Sequence, residues 1–421
     1  ETIGIKTING NINNFFITST KKVINLKSKK NFRKIVRMAI PLLILLGISL
    51  LEVNNYELRE DAINPKRLNS SGYWEVDEYV INGNAGWETT NSTYEWCTGS
   101  GTWVDPYVIE NVTFRCLDGS GNSLRIYDSD VYFIIRNCTF TLSGSIGYDA
   151  GIHLDHVGNG TLINNNCSFN NFHGIILYEY CFNNTISGNY LTQNTYISIW
   201  IRYSDDNNIL DNKIVDNFDN GVHLYNCNNN TIDDNEIINN SLGIRIHVSE
   251  DNNVTNNEFF GNSYGISLRF GHNTKIFSNN ISGNNNGIYN DNTRHLDISE
   301  NTIENSVNDG IRIHDVSADN NTIYANNISA NGRYGIFIRD SGCQDNMVYL
   351  NNFNDNNINA YDNGTDNEWD NGAIGNYWDN YTGYDDDFDG IGDTPYLISG
   401  TGDGQDNYPI WNFQSPIHID D

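Results

Sequence analysis

Between positions 184 and 339, apolar residues come in short bursts of period two, set among Asn, Asp and Ser, and the bursts themselves recur. The repeating phrase is Asn, an apolar pair, polar residues, a second Asn, an apolar residue, more Asn, then Gly-Ile-x-Ile/Leu. Asn230 to Ile246, Asn253 to Leu268 and Asn321 to Ile338 are clear copies. The glycines opening the last element (Gly221, Gly243, Gly265, Gly287, Gly310, Gly335) are spaced by 22, 22, 22, 23 and 25 residues. A fixed period of this size marks a stacked repeat architecture.

Each repeat carries three bursts, near Thr231-Ile232, near Glu236-Ile237-Ile238 and at Gly243 to Ile246. Short alternating runs are strand patterning, and the Asn, Gly, Asp and Ser between them favour turns and left-handed backbone. Three short strands and three turns make one coil. The expected fold is all-β, a right-handed parallel β-helix (solenoid) of about eleven coils with a period of roughly 22–25 residues. Ile232, Ile244, Ile246, Ile266 and Ile288 would stack inside as its core. One Asn recurs before the second strand, at Asn189, Asn212, Asn235, Asn257, Asn279, Asn301, Asn326 and Asn351. At the ~4.8 Å spacing of paired strands these side chains can hydrogen-bond along the stack, which makes them scaffold.

Charge changes the picture at the ends. The chain of 421 residues carries a net charge of −29, yet residues 1–37 hold nine Lys/Arg and one acid, leaving 15 basic against 52 acidic residues for the remainder. That acidity argues against nucleic acid and anionic membranes as partners. Residues 38–51 are apolar and uncharged, short for a bilayer span and suited to a signal-peptide core. Gly47-Ile48-Ser49 is a poor cleavage site inside the apolar run, so an uncleaved anchor is the alternative. The expected organisation is an N-terminal extension with signal peptide or membrane anchor (1–51), an irregular cap with Trp74, Trp87 and Trp96 over the open end (52–106), the β-helix (107–361), and a C-terminal cap (362–421). The expected location is extracellular or at the cell surface.

Seven cysteines leave at least one without an intrachain partner. Cys97 and Cys116 are placed to bridge near the cap, with small buried stack residues as the alternative for all. Cys138 and Cys167 sit in equivalent phrases of successive coils, and Cys181, Cys227 and Cys343 at one recurring turn. Neither Cys-x-x-Cys nor His-x-x-x-His occurs, so a transition-metal site lacks sequence support. Asn-x-Ser/Thr sequons are dense, and an exported chain would carry glycans on some of them. Near the C-terminus, Asp385-x-Asp387-x-Asp389-Gly390-Ile391-Gly392-Asp393 alternates carboxylates before a Gly turn, a pattern that wraps a hard cation. A structural Ca²⁺ is expected, held by Asp385, Asp387, Asp389 and Asp393 and the Ile391 carbonyl. The twelfth position is Tyr396 and not Glu, so the loop departs from an EF-hand.

The combination of GSGTWVDPYVIENVTF (99–114), Asn-rich coils and GNYWDNYTGYDDDFDGIGDTPY (375–396) resembles the NosD-type right-handed β-helix proteins of the wider carbohydrate-binding and sugar-hydrolase group, common as exported archaeal surface proteins. The resemblance covers roughly residues 97–411 and implies the fold and an exported location. It also implies copper handling for the founding members, which two Met and scattered His do not support here.

Each Gly-Ile-x-Ile/Leu-x strand points two side chains outward. The first row reads His153, Ile176, Trp200, His223, Arg245, Ser267, Tyr289, Arg312, Phe337; the second reads Asp155, Tyr178, Arg202, Tyr225, His247, Arg269, Asp291, His314, Arg339. This face gathers His, Arg, Tyr and Trp in an acidic chain, and Trp200, His223, Arg245, His247, Arg269, Asp291, Arg312 and His314 are the candidate glycan-binding residues. Aromatic faces suit sugar rings and guanidinium forks suit carboxylate or sulfate. In resembling families, such as pectate lyases and polygalacturonases, the substrate lies on an outward face. The expected function is polysaccharide or glycan recognition along this face. The alternatives are a structural surface protein that assembles with itself or with other surface proteins, and a polysaccharide lyase or hydrolase. Ion pairing across coils, with no ligand, is the plain structural explanation of the same rows.

Overall fold

A computed structural model describes residues 15–19, 22–26, 74–117 and 119–411. The chain divides into two compact units, residues 1–69 and 70–421. In the first, Phe15–Ser19 pairs antiparallel with Lys22–Leu26. The apolar segment 38–51 lies outside the described residues. Among the described residues no helix is long and apolar enough to cross a membrane.

The second unit is the right-handed parallel β-helix. Each turn lays one strand on each of three sheets, of 13, 13 and 12 strands, parallel throughout except for the edge strand Cys97–Thr98. One repeat supplies Thr231–Asp233, Glu236–Ile238 and Leu242–His247. The first and last strands of the two larger sheets come from the caps, leaving eleven coils of repeat between them. Inward columns are continuous: Ile209, Ile232, Val254, Ile276, Ile298 and Ile323 lie in one register and all are fully buried. Each such side chain contributes about 2 kcal/mol by leaving water.

The corner glycines are required by close approach. A β-carbon on Gly243 would sit 2.4 Å from the Gly265 carbonyl oxygen of the next coil, and one on Gly287 2.4 Å from that of Gly310. At another corner the residue before each stacked Asn is left-handed, with φ of 53–56° at Asp211, Asp234, Asn256, Ser278, Glu300, Ala325 and Leu350.

Three polar columns run along the stack. The expected one extends from Asn165 to Asn376, each Oδ1 accepting the backbone N–H of the Asn one coil before. A second runs Asn184, Asn207, Asn230, Asn252 and resumes at Asn321, Asn346, Asn367. A third runs Asn170, Asn194, Asn217, Asn240, Asn262, Asn284 and resumes at Asn331, Asn356. Each column ends on an acid of the C-terminal cap: Asn376 N–H on Asp406 at 2.7 Å, Asn367 Nδ2 on Asp362 at 3.0 Å, and Asn356 through Asn359 on Asp379.

The N-terminal cap corrects the expectation of an irregular segment. Helix α1 (Gly83–Thr93) buries Trp87 and Thr90, although its Gly, Asn and Thr content gives it little intrinsic preference for helix. Packing holds it: Trp87 stacks on Tyr107 at 5.4 Å and on Phe133 at 4.8 Å. Trp96 is buried edge-on to Phe114, whereas Trp74 is exposed. At the other end Trp378 is sandwiched between Phe353 (4.3 Å) and Tyr396 (4.2 Å).

All seven cysteines are buried. Cys97 is a free thiol, so the Cys97–Cys116 bridge is not formed; the Cys116 thiol donates to the Ser120 carbonyl at 2.9 Å. Cys138 and Cys167 are not equivalent. Cys167 stacks beside Phe140 in the core, while the Cys138 N–H opens the first Asn column on Asn165. Cys181 and Cys227 do share one corner column, which Ser204 and Ser249 continue. Burial pushes the Cys138, Cys181, Cys227 and Cys343 thiols up to about 12, as befits inert core groups.

Candidate functional site

Strand register places both outward rows as the alternation requires. Adjacent coils align His153, Ile176, Trp200, His223, Arg245, Ser267, Tyr289, Arg312 and Phe337. The neighbouring row aligns Asp155, Tyr178, Arg202, Tyr225, His247, Arg269, Asp291 and His314 in the same ladders, and the Arg339 guanidinium meets the His314 ring. The face falls into two chemically distinct halves.

In the C-terminal half Arg269, Arg312 and Arg333 meet carboxylates. Asp291 forms an ion pair with Arg269 Nε at 3.0 Å and faces His314 Nδ1 at 3.3 Å. Buried Asp309 is gripped by Arg333, through Nε at 2.7 Å and through Nη2, and lies 3.9 Å from Arg312. Arg312 also lies over Tyr289 and Phe337. Arg269 therefore pairs with Asp291 across coils beside His314, and Arg312 pairs with Asp309 of its own coil, contacts of the strand-stabilising kind.

The N-terminal half differs. Among the described residues Arg202 and Arg245 have no carboxylate within ion-pair distance. Arg202 is enclosed by the rings of Tyr148, Tyr178, Trp200, Tyr203 and Tyr225, each 4.8–5.6 Å from its guanidinium carbon, and donates to the Tyr148 hydroxyl at 2.5 Å. Trp200 stacks between Tyr148 (5.7 Å) and His223 (6.3 Å) and leans on His173 (5.0 Å). His247 meets Tyr225 edge-on at 5.2 Å. His223 is buried, not exposed in a groove; burial, then the charge of Arg245, holds its imidazolium form down to about 3. Burial likewise holds His153 to about 4 and His173 to about 3. For His247 burial comes first, then Arg245 and Arg269, which lower it below the ordinary imidazole value.

Tyr148, His173 and Tyr196 were not singled out by sequence reasoning. The signal for Tyr148 was available: 28 residues separate the register partners Leu124 and Ile152, against 23 between Ile152 and Ile175, and the surplus forms the 142–149 strap. His173 hides in the position before Gly174, which ordinarily carries no row residue.

At the C-terminus, Asp385, Asp387 and Asp389 each offer an oxygen within 4.8 Å of the others. Asp393 instead receives the Asp386 N–H at 2.6 Å, and the Ile391 N–H donates to Asp389 at 2.8 Å. The loop is pinned to the chain end by Gly392 N–H on Pro409 and Trp411 N–H on Gly390. A separate cleft of about 390 Å³, lined by Asn367, Trp369, Asp370, Gly404 and Asn407, lies in the C-terminal cap and away from the aromatic rows.

The profile of a family described as periplasmic copper-binding protein (NosD) matches residues 47–264 and 239–383. No curated protein matches the chain by sequence. Among solved structures, it is similar to a point mutant of the periplasmic alginate epimerase AlgG (14% identity, 68% of this chain and 84% of that one, TM-score 0.44). It is similar also to the A-module of the Azotobacter vinelandii mannuronan C-5 epimerase AlgE6 (16%, 71% and 89%, 0.41) and to ORF18 of Geobacillus virus E2 (9%, 85% and 67%, 0.39). The donor set does not fit copper. Copper favours sulfur and imidazole, but every thiol is buried, Met347 stands alone among the described residues, and the one converging group of three potential ligands among them is all carboxylate. The profile covers the N-terminal cap, the coils and the start of the C-terminal cap, and the chain belongs to the NosD family.

Proposed function

We propose that this chain is an exported surface β-helix protein that binds a polysaccharide or glycan along the Gly-Ile face. The observation that carries the reading is Arg202, set among stacked rings with no carboxylate within ion-pair distance among the described residues, in a chain of net charge −29; Arg245 lies on the same face, within electrostatic reach of Asp219. Rows repeating at ~4.8 Å make a straight shelf on which an extended chain of rings can lie. The family's description as periplasmic and the apolar segment 38–51 support the exported location. A structural Ca²⁺ belongs to the same proposal, since three converging carboxylates fit a hard cation.

The Asp291, Asp309 and Asp155 ion pairs favour a second reading, a structural protein whose rows stabilise its own stack. A carboxylate-pair hydrolase is disfavoured: Asp155 and Asp291, the acids of the two rows, are six coils apart, about 29 Å at strand spacing. Such pairs act at about 5–9.5 Å.

The test is a glycan array and polysaccharide-degradation screen of the full chain, with Trp200→Ala and Arg245→Ala variants. Binding lost in these variants supports the platform. Chain cleavage would make the face an active site. Well-folded protein that neither binds nor cleaves any glycan sinks the proposal in favour of the structural reading.

A further inference from the structure

Unsatisfied buried polar atoms concentrate at one place on the solenoid. Both ring nitrogens of His153 and of His223, Nε2 of His173, Oγ of Ser198, Nε1 of Trp200 and Nε of Arg202 are buried without a hydrogen-bond partner. All belong to four successive coils of the Gly-Ile face, in and around the Arg202 cage. Buried polar groups are nearly always paired, and a group left unpaired is costly. A cluster of this size therefore marks a place arranged for polar atoms that do not come from the chain. The chemistry of the cluster is specific. Neutral imidazoles and an indole N–H offer donors and acceptors at fixed points, which suits hydroxyl groups. The guanidinium without a carboxylate offers a fork for an anion.

The cover is equally specific. The 142–149 strap is anchored at both ends, by Gly144 N–H on the Gly121 carbonyl (2.7 Å) and by His173 N–H on the Asp149 carbonyl (3.1 Å). Between the anchors, residues 146–149 close a turn of their own: Asp149 N–H donates to the Ile146 carbonyl and Ile146 N–H to the Asp149 carboxylate, each at 3.1 Å. Gly147 is left-handed at φ 65°, with open space where a β-carbon would be. Ile146 is 75% exposed, so the tip is not packed into the core. The Gly147 and Tyr148 backbone lies beside the His173 and His153 rings outside hydrogen-bond geometry. Tyr148 hydrogen-bonds to the Arg202 guanidinium through a neutral hydroxyl, beside a second such contact from Tyr203, and its ring lies against the Trp200 face.

We propose that the Arg202 cage is a subsite for an anionic sugar, a pyranose bearing a carboxylate or a sulfate ester, and that Tyr148 is its displaceable cover. The anion takes the place of the Tyr148 hydroxyl on Arg202. The sugar ring takes the place of the Tyr148 ring on Trp200. The sugar hydroxyls meet the imidazole nitrogens of His173 and His223. The cover thus mimics the ligand, one ring and one oxygen, and keeps the cage closed to water until a better anion arrives. This inference rests on the glycan-binding reading and adds charge selectivity and a gate to it.

The test is calorimetric titration of the full chain with oligogalacturonate and its carboxyl-reduced neutral form, and with chondroitin sulfate and its desulfated form. The preferred acidic arm identifies the anion as carboxylate or sulfate. The expected result is an acidic ligand bound about 10–100-fold more tightly than its neutral counterpart, the range a charge-assisted fork supplies. Arg202→Gln should bring that ratio to about one, and Arg202→Lys should restore only part of it, since an ammonium cannot make the fork. Tyr148→Phe, a change too small to unfold the strap, should tighten acidic binding several-fold by removing the competing hydroxyl. Equal affinity for acidic and neutral forms, or an unchanged ratio in Arg202→Gln, overturns the inference while leaving glycan binding intact. Weaker acidic binding in Tyr148→Phe overturns the gating role. Absence of binding by every glycan overturns the broader reading with it.

Discussion

Asn257 sits in the middle of the longest polar column, 1% exposed. Its Nδ2 donates to the Ile232 carbonyl (2.9 Å), the Thr255 carbonyl (2.8 Å) and Asn279 Oδ1 (3.0 Å). Its Oδ1 accepts the Asn235 backbone N–H and Asn235 Nδ2, both at 2.9 Å. Asn257→Ala removes all five bonds and strands the Asn235 N–H in a sealed interior. Two or three groups left without water or partner, at about 1–3 kcal/mol each, place the loss at about 4–6 kcal/mol. The control is next door: Asn256 is exposed, left-handed at φ 53°, and makes one bond to Asp233. Asn256→Ala should cost only about 1 kcal/mol, mostly backbone strain. Denaturant unfolding of the full chain followed by circular dichroism gives both numbers. Hydrogen exchange adds location, because each coil touches only its neighbours and the lost protection should stay within the coils of Asn235 and Asn279. Equal costs for the two variants would refute the claim that the column holds the corner.

Two further predictions concern protons and cations. His153, His173 and His223 are neutral at pH 7 in both states, and only the unfolded chain gains protons as pH falls below about 6.5. Stability should therefore be full above that value and fall towards pH 4, by about 3 kcal/mol for a single such histidine, with a shallower loss in His223→Gln. Buried Asp406, its carboxyl raised to about 6, acts oppositely, contributing stability that is lost as pH rises from about 4 to 6; melting temperatures at pH 7, 5.5 and 4.5 for wild type, His223→Gln and Asp406→Asn separate the two. Ca²⁺ should raise the melting temperature reversibly to chelator, and Asp387→Asn should abolish the increment; no increment in wild type would dismiss the cation loop.

The coils were legible because identical residues return at one interval: Gly-Ile fixed the register so well that both outward rows aligned throughout. One Asn column was visible for the same reason. The other two were masked by substitution (Thr274, Leu296, Ser306) and by the Asn-rich background around them. Helix α1 was illegible because its stability resides in Trp87 packing and not in its own residues. The split of the face into paired and unpaired cations was illegible too. It depends on whether Asp309, three residues before the row residue Arg312, reaches Arg333 and Arg312, and on a strap from an earlier turn reaching Arg202.

The three polar columns share one sense. Along each column every amide oxygen accepts from the Asn on its N-terminal side, and the backbone N–H donates to the Asn on its C-terminal side, so each column is a chain of aligned, mutually polarised dipoles. The positive poles lie side by side at the last turns, and there stand Asp406, Asp362 and Asp379. Much as an acidic residue completes the start of an α-helix, these carboxylates complete the solenoid electrically. The stack therefore has a terminus in charge as well as in shape: a chain cut before the cap would end in three rows of amide donors with no anion to receive them.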